Sequence, residues 1–124
     1  MRKKILIIDD DVTALDIVSF FFEEQGFDVT RCPNGGSALA LVESIQPDVL
    51  LVDLLMPGLN GIETVQRVRE MGLTEIPVIA FTAVDDVEMH EEALAVGCSE
   101  VLTKPCPPER LHRAIQRHLA PTIN

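Results

Sequence analysis

Five short runs of β-branched and aliphatic residues recur along the chain, and each is followed by a stretch with helical spacing. The runs are Ile5 to Ile8, Phe27 to Cys32, Val49 to Asp53, Pro77 to Phe81 and about Glu100 to Thr103. Apolar residues fall on one helical face at Ala14, Ile17, Val18 and Phe21, at Ala38, Leu41, Val42 and Ile45, and at Leu111, Ala114 and Ile115. The third helical stretch carries the pattern more weakly in Ile62, Val65 and Val68. The fourth, from about Asp85 to Val96, is weakest, with Val87, Ala93 and Leu94 on a largely acidic segment. Gln25-Gly26, Met71-Gly72 and Val96-Gly97 supply helix ends, Asn34-Gly35-Gly36 leads into the second helix, and Pro107-Pro108 opens the last. Strands one, three and four lack polar alternation, as expected when helices cover both faces of a parallel sheet. The pattern predicts an α/β domain of (βα)5 form, with a doubly wound five-stranded parallel sheet.

A chain of 124 residues suits one domain. Trp and Tyr are absent and Phe numbers five, so the core must be aliphatic. The formal net charge of −10 repels phosphate backbones and anionic lipid, which argues against direct nucleic-acid binding and against a membrane-surface role. Cys32, Cys98 and Cys106 are odd in number and lack metal-ligand spacing, so reduced thiols are expected. The basic start Met1-Arg2-Lys3-Lys4 precedes only four apolar residues, too few for a signal-peptide core or a membrane span. A soluble, cytoplasmic domain over residues 1–119 is expected, with 120–124 as a tail or linker stub.

In such a sheet, functional groups gather at the carboxyl ends of the strands. Those ends carry Asp9, Asp10 and Asp11 on strand one, Asp53 on strand three, Thr82 on strand four and Lys104 on strand five. Carboxylates this close repel one another and raise one another's pKa unless a cation holds them. An oxygen-rich pocket suits a hard cation that keeps several waters, which points to Mg²⁺. Lys104 adds a second positive charge and Thr82 a hydroxyl. Because phosphoryl transfer depends mainly on positioning and charge stabilisation, these groups around a carboxylate nucleophile form a minimal set for it, with Asp53 as the natural nucleophile.

The stretches IIDDD, VDLLMPGLNG, PVIAFTA and VLTKP, in that order and spanning essentially the whole chain, resemble the receiver domain of two-component response regulators. The resemblance implies a flavodoxin-like receiver fold and gives Asp53 the role of phosphoacceptor. Its donor would be a phosphohistidine on a sensor histidine kinase or a histidine phosphotransfer protein. By the same resemblance Asp10 is the direct Mg²⁺ ligand, Asp9 a second acid holding the metal through water, and Leu55 the donor of a backbone carbonyl. Thr82, the Ala83 backbone N–H and Lys104 bind the phosphoryl group, and Lys104-Pro105 matches a cis peptide. The effector would be an unknown domain or protein that reads the face of helix four, strand five and helix five. Such a domain turns over no independent metabolite, so it is expected to be a signalling phosphoacceptor and not an enzyme in the ordinary sense.

The acids allow two registers, Asp9 with Asp10 or Asp10 with Asp11. The first is preferred because the family's pair directly follows the apolar strand, which leaves Asp11 to cap the next helix. Asp9-Asp10-Asp11-Val12-Thr13 also fits D-x-D-x-T, the signature of haloacid-dehalogenase-like phosphatases, with Asp9 as nucleophile and Asp11 as acid/base. That reading wants a further acidic metal motif after the Lys, where only Glu109 is present, and leaves Asp53 without a role. A receiver-like binding module that has lost phosphorylation is the third alternative.

Two departures from the family pattern stand out. Many receivers carry an aromatic residue three positions before the active-site Lys, and here that position is Val101. Phosphorylation is then expected to shift the loop after Thr82 and the fourth helix without an aromatic rotamer change. Leu55 and Val84, which flank the phosphoryl group in the family, are apolar and cannot orient water, so self-dephosphorylation is expected to be slow. Asp85, Asp86, Glu88, Glu91 and Glu92 on helix four, against Arg110, Arg113 and Arg117 on helix five, suit a symmetric dimer that strengthens on phosphorylation, although a solvated surface is the simpler reading. His90, His112 and His118 lack ligand spacing and are expected at the surface or its boundary, and Phe20-Phe21-Phe22 should place two rings in the core and one outside.

Overall fold

Apolar runs without polar alternation can be buried on both faces only at the centre of a sheet, and that is where they lie in the computed structural model, which describes residues 2–119. The strands β1 (Lys4–Ile8), β2 (Asp28–Cys32), β3 (Val49–Asp53), β4 (Val78–Thr82) and β5 (Glu100–Thr103) pair in parallel in the order β2-β1-β3-β4-β5. Every residue of β3 and β4 is buried, whereas the edge strands β2 and β5 are only partly covered. Five helices alternate with the strands: α1 (Val12–Glu24), α2 (Gly35–Ile45), α3 (Gly61–Glu70), α4 (Val87–Val96) and α5 (Pro108–His118). This is the (βα)5 doubly wound domain expected from the alternation. The tail expected at 120–124 lies outside the described residues.

Period-two alternation sends neighbouring strand residues into two separate cores. Leu6, Ile8, Leu50, Val52, Val78 and Ala80 pack beneath Ala38 and Val42 of α2, Val65 and Val68 of α3, and Ala93 of α4. Ile5, Ile7, Val49, Leu51, Ile79 and Phe81 pack beneath Leu15 and Phe22 of α1 and Leu111, Ala114 and Ile115 of α5. Helix starts are locally encoded. Asn34 and Asp86 cap α2 and α4 with their side chains, and Asn60 with Glu63 forms a reciprocal capping box on α3. Pro108 opens α5, where a missing N–H costs nothing.

Two helices turn differently from the spacing argument. In α1 the buried residues are Leu15, Ser19 and Phe22, and Ile17 is 57% exposed. Its core stripe is rotated because Phe22 fills the space over the sheet, while Phe20 points outward at 64% exposure and Phe21 is half-buried. In α4 only Ala93 of the three expected apolar residues is buried, and Val87 and Leu94 are 68% and 50% exposed. A small residue at the contact lets α4 lie close to the sheet, with Met89 and Val96 completing the packing from the sides. Strand limits differ from expectation by one residue, β2 beginning at Asp28 and β4 running from Val78 to Thr82.

Candidate functional site

The strand order reverses direction between β1 and β3, which opens a crevice at their carboxyl ends. Ile8 pairs with Val52 across these strands, so Asp9 and Asp53 leave the sheet side by side. Asp10 joins them, and one carboxylate oxygen from each of Asp9, Asp10 and Asp53 lies within 4.8 Å of the others. Asp11 does not join them. Its carboxylate accepts the N–H groups of Thr13 at 3.1 Å and Ala14 at 3.2 Å and caps α1, which leaves Asp9 and Asp10 as the pair gathered with Asp53. The same cap removes Asp11 from the acid/base position that the phosphatase reading requires.

Asp9 and Asp53 are built alike. Each uses Oδ1 to accept a backbone N–H two residues on, from Asp11 at 2.9 Å and from Leu55 at 3.0 Å respectively. These local bonds fix the side chains and leave both Oδ2 atoms for the crevice. Asp53 Oδ2 receives the Lys104 ammonium at 3.2 Å, and the same nitrogen lies 3.8 Å from Asp9 Oδ2. Lys104 Nζ also sits 4.8 Å from the centroid of Phe81, a further restraint on a long flexible chain. Asp9 is 1% exposed, and its Oδ2 has no hydrogen-bond partner among the described residues. Burial pushes its pKa up to about 6, the Asp11 N–H opposes the rise, the Asp53 charge adds to it and Lys104 again opposes it.

A buried carboxylate oxygen without a partner, facing two further carboxylates, is a donor set that fits a hard divalent cation. One ammonium shared between two buried acids leaves the cluster short of positive charge. Asp10 is exposed, so the cluster opens to solvent on that side.

The remaining expected residues follow the carboxyl ends of β3, β4 and β5. The Lys104 N–H donates to the Thr82 carbonyl at 2.7 Å, which ties the ends of β4 and β5 together, and the Lys104-Pro105 peptide is cis. Leu55 contributes its N–H to Asp53 and is itself 41% exposed, while Ala83 begins the exposed loop after β4. Thr82 departs from the expected arrangement. Its hydroxyl accepts the Val84 N–H at 3.2 Å and donates to the Met89 sulfur at 3.9 Å, so its contacts lie on the loop and on α4 and not on the carboxylates.

Sequence reasoning missed Met89 because helical spacing drew attention to Val87 and Leu94. The usable signal was a flexible apolar residue two positions after Val87 in the first turn of an acidic helix. It also missed Gly61, where a Cβ would meet Leu54 Cα at 2.6 Å and the backbone of Asp53. The glycine lets α3 start against the strand that carries the phosphoacceptor candidate.

Beside Lys104 an open apolar groove runs between α1 and α5, lined by Ala14, Ile17, Val18, Phe81 and Cys106. Among the described residues no helix is long and apolar enough to cross a membrane.

Comparison with known proteins places this geometry. Residues 5–116 match the model of the response regulator receiver domain. An uncharacterized 14.6 kDa protein from Leptolyngbya boryana is 40% identical over 115 residues, covering 92% of this chain and 88% of that protein. The alkaline phosphatase synthesis transcriptional regulatory protein PhoP of Bacillus subtilis is 30% identical over 116 residues; the match covers 94% of this chain and 48% of PhoP, so the chain spans about half of that regulator. Among solved structures, the chemotaxis protein CheY4 of Vibrio cholerae superposes with a TM-score of 0.91 at 32% identity, over 96% of this chain and all of CheY4. With a family model matched from β1 into α5 and the acids, hydroxyl and ammonium on the strand ends where the motifs placed them, the chain belongs to the response regulator receiver domain family.

Proposed function

We propose that this chain receives a phosphoryl group on Asp53 from a phosphohistidine donor and passes the signal on through a changed surface. The observation that carries the reading is the Lys104 ammonium held 3.2 Å from Asp53 Oδ2, beside the unpartnered Asp9 Oδ2. In the reaction an Asp53 oxygen forms the new P–O bond as the donor's P–N bond breaks, and the electron pair returns to the donor imidazole. Lys104 stabilises the charge on the transferred group, and the Ala83 N–H and the Thr82 hydroxyl, once turned, supply hydrogen bonds to its oxygens. Asp9, Asp10, Asp53 and the Leu55 carbonyl would hold Mg²⁺, which supplies charge neutralisation for the gathered carboxylates and phosphoryl oxygens.

The donor would be a sensor histidine kinase or a histidine phosphotransfer protein in the cytoplasm, and the apolar groove beside Lys104 offers it a contact surface close to Asp53. Output runs through the face of α4, β5 and α5, where Val87 and Leu94, seven residues apart and exposed, share one side of the helix. That face suits an effector protein or domain, or a second copy of this chain in a phosphorylation-dependent homodimer. Arg117 is already committed to Glu100 within the chain, which leaves Arg110 and Arg113 for the acidic side of α4. On this reading the domain is a phosphoacceptor with self-phosphorylation and self-dephosphorylation chemistry only, and binds neither nucleic acid nor membrane itself.

The test is incubation with acetyl phosphate and Mg²⁺, followed by intact mass and peptide mapping of wild type, Asp53→Asn and Asp9→Asn. The expected result is a Mg²⁺-dependent adduct on Asp53, absent in Asp53→Asn, weakened in Asp9→Asn, and slow to decay because Leu55 and Val84 offer no base. Phosphate release that ignores Asp53→Asn and stops in Asp9→Asn would overturn it in favour of a phosphatase. A chain that takes up no phosphoryl group at all would be a degenerate binding module.

A further inference from the structure

Thr82 is fully buried at the end of β4, yet neither contact of its hydroxyl is to the carboxylate cluster. The oxygen accepts from Val84 N–H and gives its proton to Met89 Sδ, a weak acceptor. Met89 sits in the first turn of α4, and its neighbour His90 donates from Nε2 to the Val84 carbonyl at 3.2 Å. The same turn therefore holds both the hydroxyl of Thr82 and the loop that follows it.

The other end of α4 is anchored differently. Arg69 of α3 donates to the Gly97 carbonyl from Nε at 3.3 Å and Nη2 at 2.6 Å, and to the Leu73 carbonyl from Nη1 at 2.8 Å. A Cβ on Gly97 would meet Arg69 Nε at 2.7 Å, so the Arg69 side chain is packed closely against the helix end. Two charge-assisted bonds to the Gly97 carbonyl fix one end of α4, while the other is held at Thr82 by a thioether. Val101 packs in the same core as Met89 and has no polar atom to offer the hydroxyl.

We propose that Met89 is a positioning residue. It holds the Thr82 hydroxyl away from Asp53 until phosphorylation, and its release frees the first turn of α4 while Arg69 keeps the last turn in place. The proposal rests on Asp53 being the phosphoacceptor. A phosphoryl oxygen is charged and outcompetes a thioether for the hydroxyl proton, so rotation of Thr82 between staggered rotamers exchanges a weak acceptor for a strong one. A contact this weak is overcome by a new charged acceptor, as a two-state element requires.

The experiment uses beryllofluoride with Mg²⁺ as a phosphoryl mimic, titrated into wild type, Met89→Leu, Thr82→Ala and the double variant, with methyl NMR of Met89 and Thr82. Leu keeps the volume and removes the acceptor. In wild type the Met89 ε-methyl and Thr82 γ-methyl resonances should shift together along one binding curve. Met89→Leu should tighten beryllofluoride binding about threefold, the scale of one weak contact, and the gain should vanish in the Thr82→Ala background. In the free protein, Met89→Leu should change the Thr82 Hα–Hβ coupling. Equal affinity in wild type and Met89→Leu, or the same gain with Thr82 absent, overturns the role of Met89 and leaves the phosphoacceptor reading intact. A wild type that binds no beryllofluoride overturns both.

Discussion

Asp9 and Asp53 show how much a receiver pocket owes to single backbone contacts. Each carboxylate is aimed by one N–H two residues downstream, so its direction depends on the loop behind it. For Asp53 that loop is pressed against α3 at Gly61, whose own N–H donates to the Leu54 carbonyl at 3.1 Å. Gly61→Ala should therefore cost about 1–3 kcal/mol, as overpacking against backbone does, and should slow phosphorylation of Asp53 along with it. Urea denaturation and the acetyl phosphate rate measure the two effects; a fully stable variant with normal rate would show that the close approach is not needed. At this scale the sequence was readable where residue type and strand end coincide, as for Asp9, Asp53 and Lys104. It was silent on the Thr82 hydroxyl, because both of its partners, Val84 N–H and Met89, come from segments whose approach only tertiary packing decides.

Elements came through as an alternation of types, and faces came through less well. Apolar spacing located all five helices, yet α1 is turned so that Ile17 faces solvent, since Phe22 takes the central place over the sheet. Where two adjacent stripes are both apolar, packing against the other elements chooses between them. The α1 and α5 pair also produces a titrating contact. His112 of α5 lies among Phe21, Phe22 and Phe27 with ring centroids 5.7 to 5.9 Å away, and burial lowers its pKa below the usual 6.5. The unfolded chain then binds the proton more readily than the folded one, so protonation favours unfolding. Stability should rise with pH through the range just below 6.5 and gain nothing further from this group above it. His112→Phe should remove that part of the slope, seen as a difference in urea midpoint between variant and wild type that changes with pH within that range and is constant above it.

For the whole molecule, a net charge of −10 and a cluster of acids at one edge make two distinct claims on cations. Monovalent salt screens the first and should raise the melting temperature slightly. Magnesium chloride at matched ionic strength should raise it further, through an added stabilisation of about 2.7 kcal/mol at a concentration a hundredfold above Kd. Asp10→Asn, at an exposed position, should abolish the difference without harming the fold; an unchanged difference would place the ion elsewhere. Chain-wide alternation made the architecture legible, but the strand order that sets β1 beside β3 comes from the structure, because periodicity says nothing about which strands pair. That order carries a consequence for the newly made chain. Asp9 and Asp53 are adjacent once β3 has been added to β1, whereas the ammonium that faces Asp53 comes from a residue 51 positions later. A nascent chain that has docked only its first three strands would hold its acids together without their counter-charge. Mutual repulsion at the pocket therefore works against resting in that half-built form, and the arrival of the last strand relieves it.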